Sequence, residues 1–431
     1  MSNWQKVKIG DVCTITKGVI GIQKAIAGEY PMISLAEERA THNEFQFDCE
    51  AVIIPLVSST GHGHASMKRV HYQKGKFAVG SILCAVIPND TNFLNPKYLH
   101  IYLSYLKDKL LVPLMRGAAN VSLSIANIKT VEVVVPPIDR QLEIIELEKI
   151  LRRQKQKLDQ GNLFQKSHLT LLRQQILQDA ISGKLTTDWR AKNPDTEPAS
   201  DLLKQIKAEK EKLIAEKKIK KGKPLPPIAK DEVPFELPEG WEWCRLGEIT
   251  IYGTSKKVEP KNILDDTWIL DLEDIEKESS RIINYENYKN RKSNSTKSIF
   301  KKGDILYSKL RPYLDKVVVA PKDGVCTTEI LPLPIFGGMD SSFFMYAMKR
   351  RDFLRYADQK VKGMKMPRLG TEDGKRALFP LPPRAEQRAI VAKVERLMKD
   401  MSQLDKKIAQ NANNAETLMQ AFLGEVFESK L

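Results

Sequence analysis

The feature that most constrains this chain is a long helical pattern that occurs twice. The first copy covers residues 136–185 and the second covers residues 382–431, so the offset is 382 − 136 = 246 positions, and the two align without a gap. Both copies begin with a Pro-Pro pair and share identical residues, such as Gln141 with Gln387. Internal repetition on this scale decides the fold before any local signal does. We therefore expect two equivalent helices.

Apolar residues recur within each copy at alternating steps of four and three. This period predicts an apolar seam that faces a partner helix, and the other copy is the simplest partner. A helix of about 45 residues spans roughly 65–70 Å and cannot bury its own seam. Two separate surface helices are the alternative. The predicted coiled-coil positions are Ile144, Leu151, Leu158, Leu172 and Ile176 in the first copy, and Ile390, Val394, Leu397, Met401, Leu404, Ile408, Leu418 and Phe422 in the second.

The rest of the chain is also duplicated. Residues 1–135 have the pattern of a mixed α/β domain, with strand-like runs at 30–35, 51–57, 77–87 and 131–135 and a helix at 98–111. Residues 241–381 repeat its outline, because 4–12 match 241–249 and 77–83 match 300–306. That second match places residues 309–313 opposite 85–88. The loops differ almost completely, which is typical of two modules that recognise different things.

Residues 186–240 have no counterpart in the second half. We predict a Lys-rich helix there, from Leu202 to about Lys221, followed by a stiff Pro-rich linker. Residues 204–223 hold nine Lys against three Glu. Contact with a DNA backbone and a solvated helix face are equally open interpretations of these lysines.

The charge balance points to a polyanionic partner. The chain has 69 Lys and Arg against 54 Asp and Glu, a net charge of +15, which favours nucleic acid over a membrane. The five cysteines show no paired spacing, which indicates a reducing compartment and argues against a cysteine zinc site. The opening residues lack the apolar core of a signal peptide, and no apolar run reaches membrane-spanning length. We expect a cytoplasmic protein with no membrane association.

Catalytic signatures are missing from the sequence. There is no Gly-rich cofactor loop, no phosphate-binding loop, and no Asn/Asp-Pro-Pro-aromatic element of an amino-group methyltransferase. A nuclease-like match, Pro194-Asp195 with Glu216 and Lys218, falls in a turn and in the predicted Lys-rich helix, so we interpret it as coincidental. His62 and His64 lack a nearby third ligand, so no metal site is expected. A single-chain nuclease–methyltransferase is accordingly disfavoured.

Two loops in each half combine hydroxyl, imidazole, amide and cationic groups, which suit contacts to phosphates and base edges. Arg fits the edge of guanine and Asn that of adenine, while Lys mostly neutralises phosphates. The candidate DNA-contacting residues are Ser59, Thr60, His62, His64, Lys68, Arg69, Arg116, Asn120 and Ser122 in the first half, and Lys309, Arg311, Tyr313, Lys362, Lys365 and Arg368 in the second.

Taken in order, these motifs resemble the DNA-specificity subunits of type I restriction–modification systems. The resemblance covers the whole chain and is carried by the two Trp-initiated openings at residues 4–12 and 241–249, by residues 237–249, by 303–317, by the Pro-Pro-x-x-x-Gln helix starts and by residues 171–186. No single motif is specific, but their order occurs twice.

The resemblance implies an α+β fold with two similar mixed α/β target recognition domains, separated by two long antiparallel coiled-coil helices with pseudo-twofold symmetry. The implied blocks are recognition domain 1 (residues 1–135), the central spacer helix (136–185), the Lys-rich insert and linker (186–240), recognition domain 2 (241–381) and the C-terminal spacer helix (382–431).

The resemblance also implies a function. Each domain would read one half of a bipartite, asymmetric double-stranded DNA site, and rigid helices would keep the half-sites about one turn of DNA apart. Two modification subunits would supply S-adenosylmethionine, and restriction subunits would use ATP and Mg²⁺. This chain would bind no cofactor and would be a non-catalytic subunit of a DNA adenine methyltransferase and type I site-specific deoxyribonuclease. A coiled-coil scaffold that links two protein-binding domains is the alternative function.

Overall fold

The computed structural model describes residues 4–21, 25–36, 38, 40–60, 63–118 and 120–427. The chain forms two compact units, unit 1 (Met1–Leu163 with Ile408–Leu431) and unit 2 (Phe164–Lys407). Each unit therefore contains part of each long helix. The predicted α+β fold class is confirmed. The last residues of the predicted second spacer, 428–431, lie outside the described residues.

Unit 1 contains most of the long strands. Its elements in chain order are β1 (Gln5–Lys8), α1 (Ile9–Val12), β2 (Cys13–Lys17), β3 (Tyr30–Ile33), β4 (Ala40–His42), β5 (Phe47–Pro55), β6 (His71–Val79), β7 (Leu83–Pro88), α2 (Pro96–Leu110), α3 (Ile125–Lys129), β8 (Glu132–Val135) and the first part of α4 (Ile138–Ile181).

A six-stranded sheet of order β2-β7-β5-β6-β3-β4 forms the body of unit 1, and β1 pairs with β8 in a separate ribbon. The predicted strands at 30–35, 51–57 and 131–135 and the helix at 98–111 are confirmed, whereas the run at 77–87 forms two strands. Helix α2 packs its apolar face on the sheet, and Phe427 from the end of the second long helix contacts Tyr98 and Tyr102. The sheet, α2 and the helix end thus share one core.

Unit 2 has more and shorter strands. After the second part of α4, its elements are α5 (Thr187–Lys192), α6 (Ala199–Ala215), β9 (Glu242–Arg245), α7 (Leu246–Ile249), β10 (Lys257–Val258), β11 (Trp268–Leu270), β12 (Glu286–Asn287), β13 (Lys297–Phe300), β14 (Ile305–Ser308), β15 (Val317–Val319), β16 (Gly324–Cys326), β17 (Ile330–Leu333), α8 (Ser341–Met348), α9 (Arg351–Lys360), β18 (Val361–Lys362), β19 (Arg368–Leu369), α10 (Thr371–Arg376), β20 (Leu378–Leu381) and the first part of α11 (Arg384–Phe427).

Strand pairing shows which parts of the two units are equivalent. In unit 1, β5 pairs with both β6 and β7. In unit 2 the same role is divided, because β13 pairs with β16, and β14 pairs with β15 and β17. The one parallel pair among the described strands of each unit, β3 with β6 and β11 with β16, supports this correspondence. Strand β14 is therefore the counterpart of the end of β5, and β17 is the counterpart of β7.

This correspondence corrects one sequence match. Residues 77–83 and 300–306 share a Phe-x-x-Gly-x-Ile-Leu pattern, but the first leads into β7 and the second into β14. The pattern describes a strand, a turn and another strand, so it recurs wherever that sequence of elements occurs. Residues 309–313 consequently correspond to residues 56–60, and the predicted correspondence with 85–88 is wrong.

The internal repeat is preserved in hydrogen bonds at the start of each long helix. Gln141 accepts a hydrogen bond from the backbone N–H of Asn95 at 2.8 Å and donates to the carbonyl of Pro136 at 2.8 Å. Gln387 accepts from the N–H of Asp340 at 2.8 Å and donates to Pro382 at 3.0 Å. Asn95 and Asp340 cap α2 and α8. Each glutamine thus joins a long helix to the capped start of its domain's helix.

The long helices run antiparallel within each unit. In unit 1, Lys155 of α4 forms an ion pair with Glu416 of α11 at 3.2 Å. In unit 2, Arg173 pairs with Asp405, and Lys393 donates to the carbonyl of Leu185 at 2.7 Å. Contacts therefore join the start of each helix to the end of the other.

The predicted two-line coiled-coil seam is wrong in part. One heptad line is buried or half-buried along α11, and it includes Val394, Met401, Ile408 and Phe422. The matching line of α4 passes through Glu148, Asn162, Leu169 and Ile176, which are all buried. Ile144 and Ile390 begin a second line and are buried, and Leu151 and Leu397 follow half-buried.

Further along this second line the side chains face solvent. Leu158, Leu172, Leu404 and Leu418 are exposed. Beyond the start of each helix one heptad line is buried, where a coiled coil would bury two, and polar side chains of α4 occupy part of that line. The prediction of a continuously buried seam fails at these four leucines.

The Lys-rich insert is part of unit 2. Its helix, α6, ends at Ala215, six residues before the predicted end, and Lys217 follows with a φ of +57°. Repulsion among the lysines at 217, 218, 220 and 221 disfavours another helical turn. Glu216 of the nuclease-like match therefore lies beyond the helix, in contrast to the prediction. Lys210 is directed into unit 2, where it donates to the carbonyls of Gly247, Glu248 and Thr250 at 2.7, 2.9 and 2.9 Å.

Candidate nucleic-acid interface

Each unit contains a loop that pairs with a short hairpin. In unit 1, Leu123 donates to the carbonyl of Leu56, and Ser58 donates to that of Val121, both at 2.9 Å. In unit 2, Leu369 donates to Lys309 at 3.0 Å, and Arg311 donates to Pro367 at 2.8 Å. The hydrogen bonds correspond one to one. We call these arrangements the first loop–hairpin site (residues 56–69 with 116–123) and the second loop–hairpin site (residues 309–316 with 362–369).

The two hairpins share their backbone as well as their position. Arg116 pairs with Ser122 in the first, and Lys362 pairs with Arg368 in the second, so five residues separate the paired positions in both. Gly117 and Gly363 follow the first paired residue with φ values of +131° and +97°, a region that other residues rarely adopt. The hairpins therefore present different side chains on one backbone design.

Hydroxyl groups shape the loop of the first site. The Ser59 hydroxyl accepts from the N–H of Lys68 at 2.8 Å, and the Thr60 hydroxyl lies 2.9 Å from that of Ser66. Ser58 donates to the carbonyl of His64 at 2.6 Å. Ser59 and Thr60 are exposed, but their hydroxyl groups form hydrogen bonds within the loop and so stabilise its conformation.

The remaining predicted residues of the first site lie on its surface. His64 and Lys68 are exposed and Arg69 is half-buried, while His62 lies outside the described residues. On the hairpin, Arg116, Asn120 and Ser122 are exposed. The Arg116 guanidinium donates to the carbonyls of Pro113 and Met115 at 2.6 and 3.0 Å. The structure brings loop and hairpin residues to one site, as the sequence could not show.

The second site is more cationic. Arg311 is exposed and has a φ of +49°, an uncommon backbone conformation for a residue other than glycine that recurs at functional sites. Its guanidinium lies 3.5 Å from the carbonyl of Lys365. Tyr313, Lys362 and Lys365 are exposed, and Lys309 is half-buried. Lys362 lies 3.8 Å from the carboxylate of Asp373, so that charge is partly balanced.

Arg368, another of the predicted contact residues, has a partner within the chain. Its guanidinium forms a two-point ion pair with Glu329, with distances of 2.9 and 3.0 Å. This pairing holds the pKa of the Glu329 carboxyl below its usual range. This contact holds the Arg368 guanidinium at the base of the hairpin, and a role of Arg368 in binding DNA stays a prediction.

Two methionines were missed by the sequence interpretation. Met364 is fully exposed at the tip of the second hairpin, and Met366 is 46% exposed. The signal was present in the sequence, since residues 362–366 alternate cationic and apolar side chains around a glycine. The sequence interpretation considered mainly polar and charged side chains and therefore did not include these methionines.

Neither a metal centre nor a membrane segment is found in the described part of the chain. No group of three or more potential ligand side chains could hold an ion there. None of its helices is both long and apolar enough to cross a bilayer. All five cysteines are free, and four of them are buried.

Comparison with known proteins shows what the chain is similar to. Residues 1–160 match the family model described as the type I restriction modification DNA specificity domain. The EcoDI specificity subunit of Escherichia coli is 26% identical over 437 residues, which cover all of this chain and 89% of that subunit. The chain is similar to the specificity subunits of type I restriction enzymes.

The part of this chain that is similar in sequence differs from one specificity subunit to another. The EcoAI specificity subunit of Escherichia coli is 32% identical over 251 residues, which cover 54% of this chain and 40% of that subunit. The similarity in fold covers more of the chain than this similarity in sequence does. A chain from a solved type I restriction–modification complex superposes with a TM-score of 0.60 and 15% identity, covering 98% of this chain and 97% of its own. The HsdS subunit of Thermoanaerobacter tengcongensis superposes at 0.53 and 16%, covering 99% and 97%.

Proposed function

We propose that this chain is the DNA-reading subunit of a type I restriction–modification enzyme, and that each unit reads one half of a bipartite, asymmetric site. The observation that carries the proposal is the pair of loop–hairpin sites, which keep the same backbone hydrogen bonds but present different side chains. A shared backbone with exchanged side chains is what two readers of different sequences need. The net charge of +15 favours a polyanionic partner. The roles of the individual contact residues are part of this proposal.

The chemistry would come from other chains. Two modification subunits would bring S-adenosylmethionine, and restriction subunits would bring ATP and Mg²⁺. This chain would then be the non-catalytic subunit of a DNA adenine methyltransferase and type I site-specific deoxyribonuclease in the cytoplasm.

Two modification subunits fit the internal repeat. Leu158 and Leu404 are equivalent positions, 246 residues apart, and so are Leu172 and Leu418. All four are exposed. Unit 1 contains Leu158 and Leu418, which line one cavity between the helices, and unit 2 contains Leu172 and Leu404. Each unit thus offers one pair of exposed leucines, a surface of the kind that a partner helix covers.

Selection from a library of random duplexes tests the proposal. We expect the full chain, purified with its cognate modification subunit, to enrich a motif with two fixed segments and a non-specific spacer of constant length. The logarithm of the binding constant should fall linearly with the logarithm of the salt concentration, with a slope of about −0.9 for each phosphate neutralised. The chain without the modification subunit serves as the comparison.

A library that returns no motif, with duplex binding no stronger than that of an unrelated basic protein, would contradict the proposal. The scaffold function would then be favoured, since it needs the duplicated outline but not sequence-specific DNA binding. A motif with a single fixed segment would contradict the assignment of one half-site to each unit.

A further inference from the structure

The tip of the second hairpin carries an apolar side chain that the fold does not use. Met364 is fully exposed, and Met366 is nearly half-exposed. Single exposed apolar residues are common on protein surfaces, so exposure alone identifies no function. The comparison between the two hairpins gives Met364 its significance.

The hairpin backbone does not require a large residue at this position. Both tips contain five residues between their paired positions, and both begin with a glycine in the left-handed region. At the second tip position the first hairpin has Ala118 and the second has Met364, and at the fourth they have Asn120 and Met366. A long apolar side chain therefore distinguishes the second hairpin from the first on the same backbone design.

The base of the second hairpin is held firmly. Arg311 donates to the carbonyl of Pro367 at 2.8 Å, and Leu310 forms a β-bridge with Arg368. The ion pair between Arg368 and Glu329 fixes the same strand from its side chain. Met364 is thus an exposed group on a supported element, which is the arrangement that positions a recognition residue.

The surroundings of Met364 specify the chemistry of its partner. Lys365 and Lys362, whose charge Asp373 balances in part, are exposed on either side of it in the chain, so a partner that suits this tip combines negative charge with an accessible apolar group. Double-stranded DNA offers this combination where the C5-methyl group of thymine lies in the major groove between the phosphate backbones. A methionine side chain is flexible and polarisable, which suits contact with a methyl group.

We propose that Met364 contacts a thymine methyl group and determines one A·T position of the second half-site. This inference rests on the proposed function, and it goes further by naming a base and an atom. Recognition is by the apolar contact, while the flanking lysines bind phosphates and contribute no preference for sequence.

The test compares motifs selected from random duplexes by the complete protein with its modification subunit. We expect Met364→Ala to lose the preference for thymine at one position of one half-site and to keep every other position. Leu264→Ala is the matched control, because Leu264 is 72% exposed in the same unit but lies outside the hairpin. It should return the wild-type motif. Met364→Leu should keep most of the preference.

A second measurement isolates the methyl group. Replacing that thymine by deoxyuridine removes one methyl group, and we expect binding by the wild-type protein to weaken about fourfold, the value for one buried methyl-sized group. Binding by Met364→Ala should not change on the same replacement.

The outcomes separate this inference from the proposed function. If the wild-type protein selects a bipartite motif and Met364→Ala selects the same motif, the inference is wrong and the proposed function stands. Equal weakening on every duplex would also overturn it, since the tip would then add affinity without reading a base. If the wild-type protein selects no motif, both fail.

Discussion

Arg311 and Arg368 lie on paired segments of the second loop–hairpin site, but their guanidinium groups have different partners. Arg368 is neutralised by a two-point contact with Glu329. Arg311 is exposed, and its guanidinium has one long contact with a backbone carbonyl. A bidentate contact to guanine requires a guanidinium fork that no carboxylate already occupies. Of these two arginines, only Arg311 meets this requirement.

We expect Arg311→Ala to weaken binding by about 1–3 kcal/mol and to relax one position of the second half-site only. The measurement is the affinity for duplexes that carry single base changes in either half-site. Arg368→Ala is the comparison, and it should weaken the hairpin and lower affinity without relaxing a particular base. Equal effects of Arg311→Ala on both half-sites would contradict the assignment.

The sequence identified the residue types of the candidate sites better than their tasks. Loops rich in Ser, His and Arg mark a polar surface, but the contact between Arg368 and Glu329 joins positions 39 residues apart, and local spacing cannot reveal it. The same holds for Ser59, whose hydroxyl accepts from a backbone N–H nine residues away. Whether a polar group faces solvent or holds a loop depends on tertiary contacts.

Helix α6 changes the interpretation of the Lys-rich insert. Its apolar residues Leu202 and Ile206 are buried and lie so close to Gly337 that a side chain at that position would collide with Ile206. Glu209 accepts from the Gly337 N–H at 2.8 Å. Lys210 binds three carbonyls at and just beyond α7. One face of this charged helix is therefore structural, while the lysines at 217–223 after it are exposed.

We expect Lys210→Met to destabilise the contact between α6 and α7 by about 1–3 kcal/mol, because the carbonyls of Gly247, Glu248 and Thr250 lose their donor. Amide hydrogen exchange in α7 measures the effect and should become faster. Lys212→Met is the control, since Lys212 is exposed on the same helix and its replacement should leave the exchange unchanged. Equal protection in both variants would show that the lysine is dispensable.

The long helices show what a periodic sequence can predict and what it cannot. The internal repeat predicted two equivalent helices and their seven-residue period predicted an apolar seam, and the structure has two helices of 44 residues each. Periodicity could not tell which heptad line would be buried, because burial of Glu148 and Asn162 depends on the facing helix. Glu148 binds Arg152 of its own helix, which makes its burial tolerable. Both lines were therefore predicted to be buried, and the line that ends in exposed leucines was the wrong part of that prediction.

For the whole molecule, the repeat predicts two equivalent docking sites for modification subunits. Leu158 and Leu418 form one pair, and Leu172 and Leu404 form the other. We expect the double change Leu158→Glu with Leu418→Glu to reduce the number of bound modification subunits from two to one, because a carboxylate opposes burial under a partner. Native mass spectrometry of the purified assembly counts the subunits.

The same double change in the other pair of leucines tests whether the two sites are independent. Leu172→Glu with Leu404→Glu should also leave one modification subunit, and the four changes together should leave none. Loss of both subunits after either double change, with the fold intact by circular dichroism, would contradict two independent sites. If the variants still bind two modification subunits, the leucines are not part of the docking surface.

The equivalence of β14 with the end of β5 determines how chimaeras of such proteins should be built. A graft guided by the Phe-x-x-Gly-x-Ile-Leu match would splice β7 of one unit onto β14 of another, and the transplanted strand would meet the wrong neighbours. Crossover points at residues 56 and 123 in one parent and at 309 and 369 in the other transfer both halves of a recognition element together. New specificities are then obtained by exchanging complete cassettes whose hydrogen bonds already match.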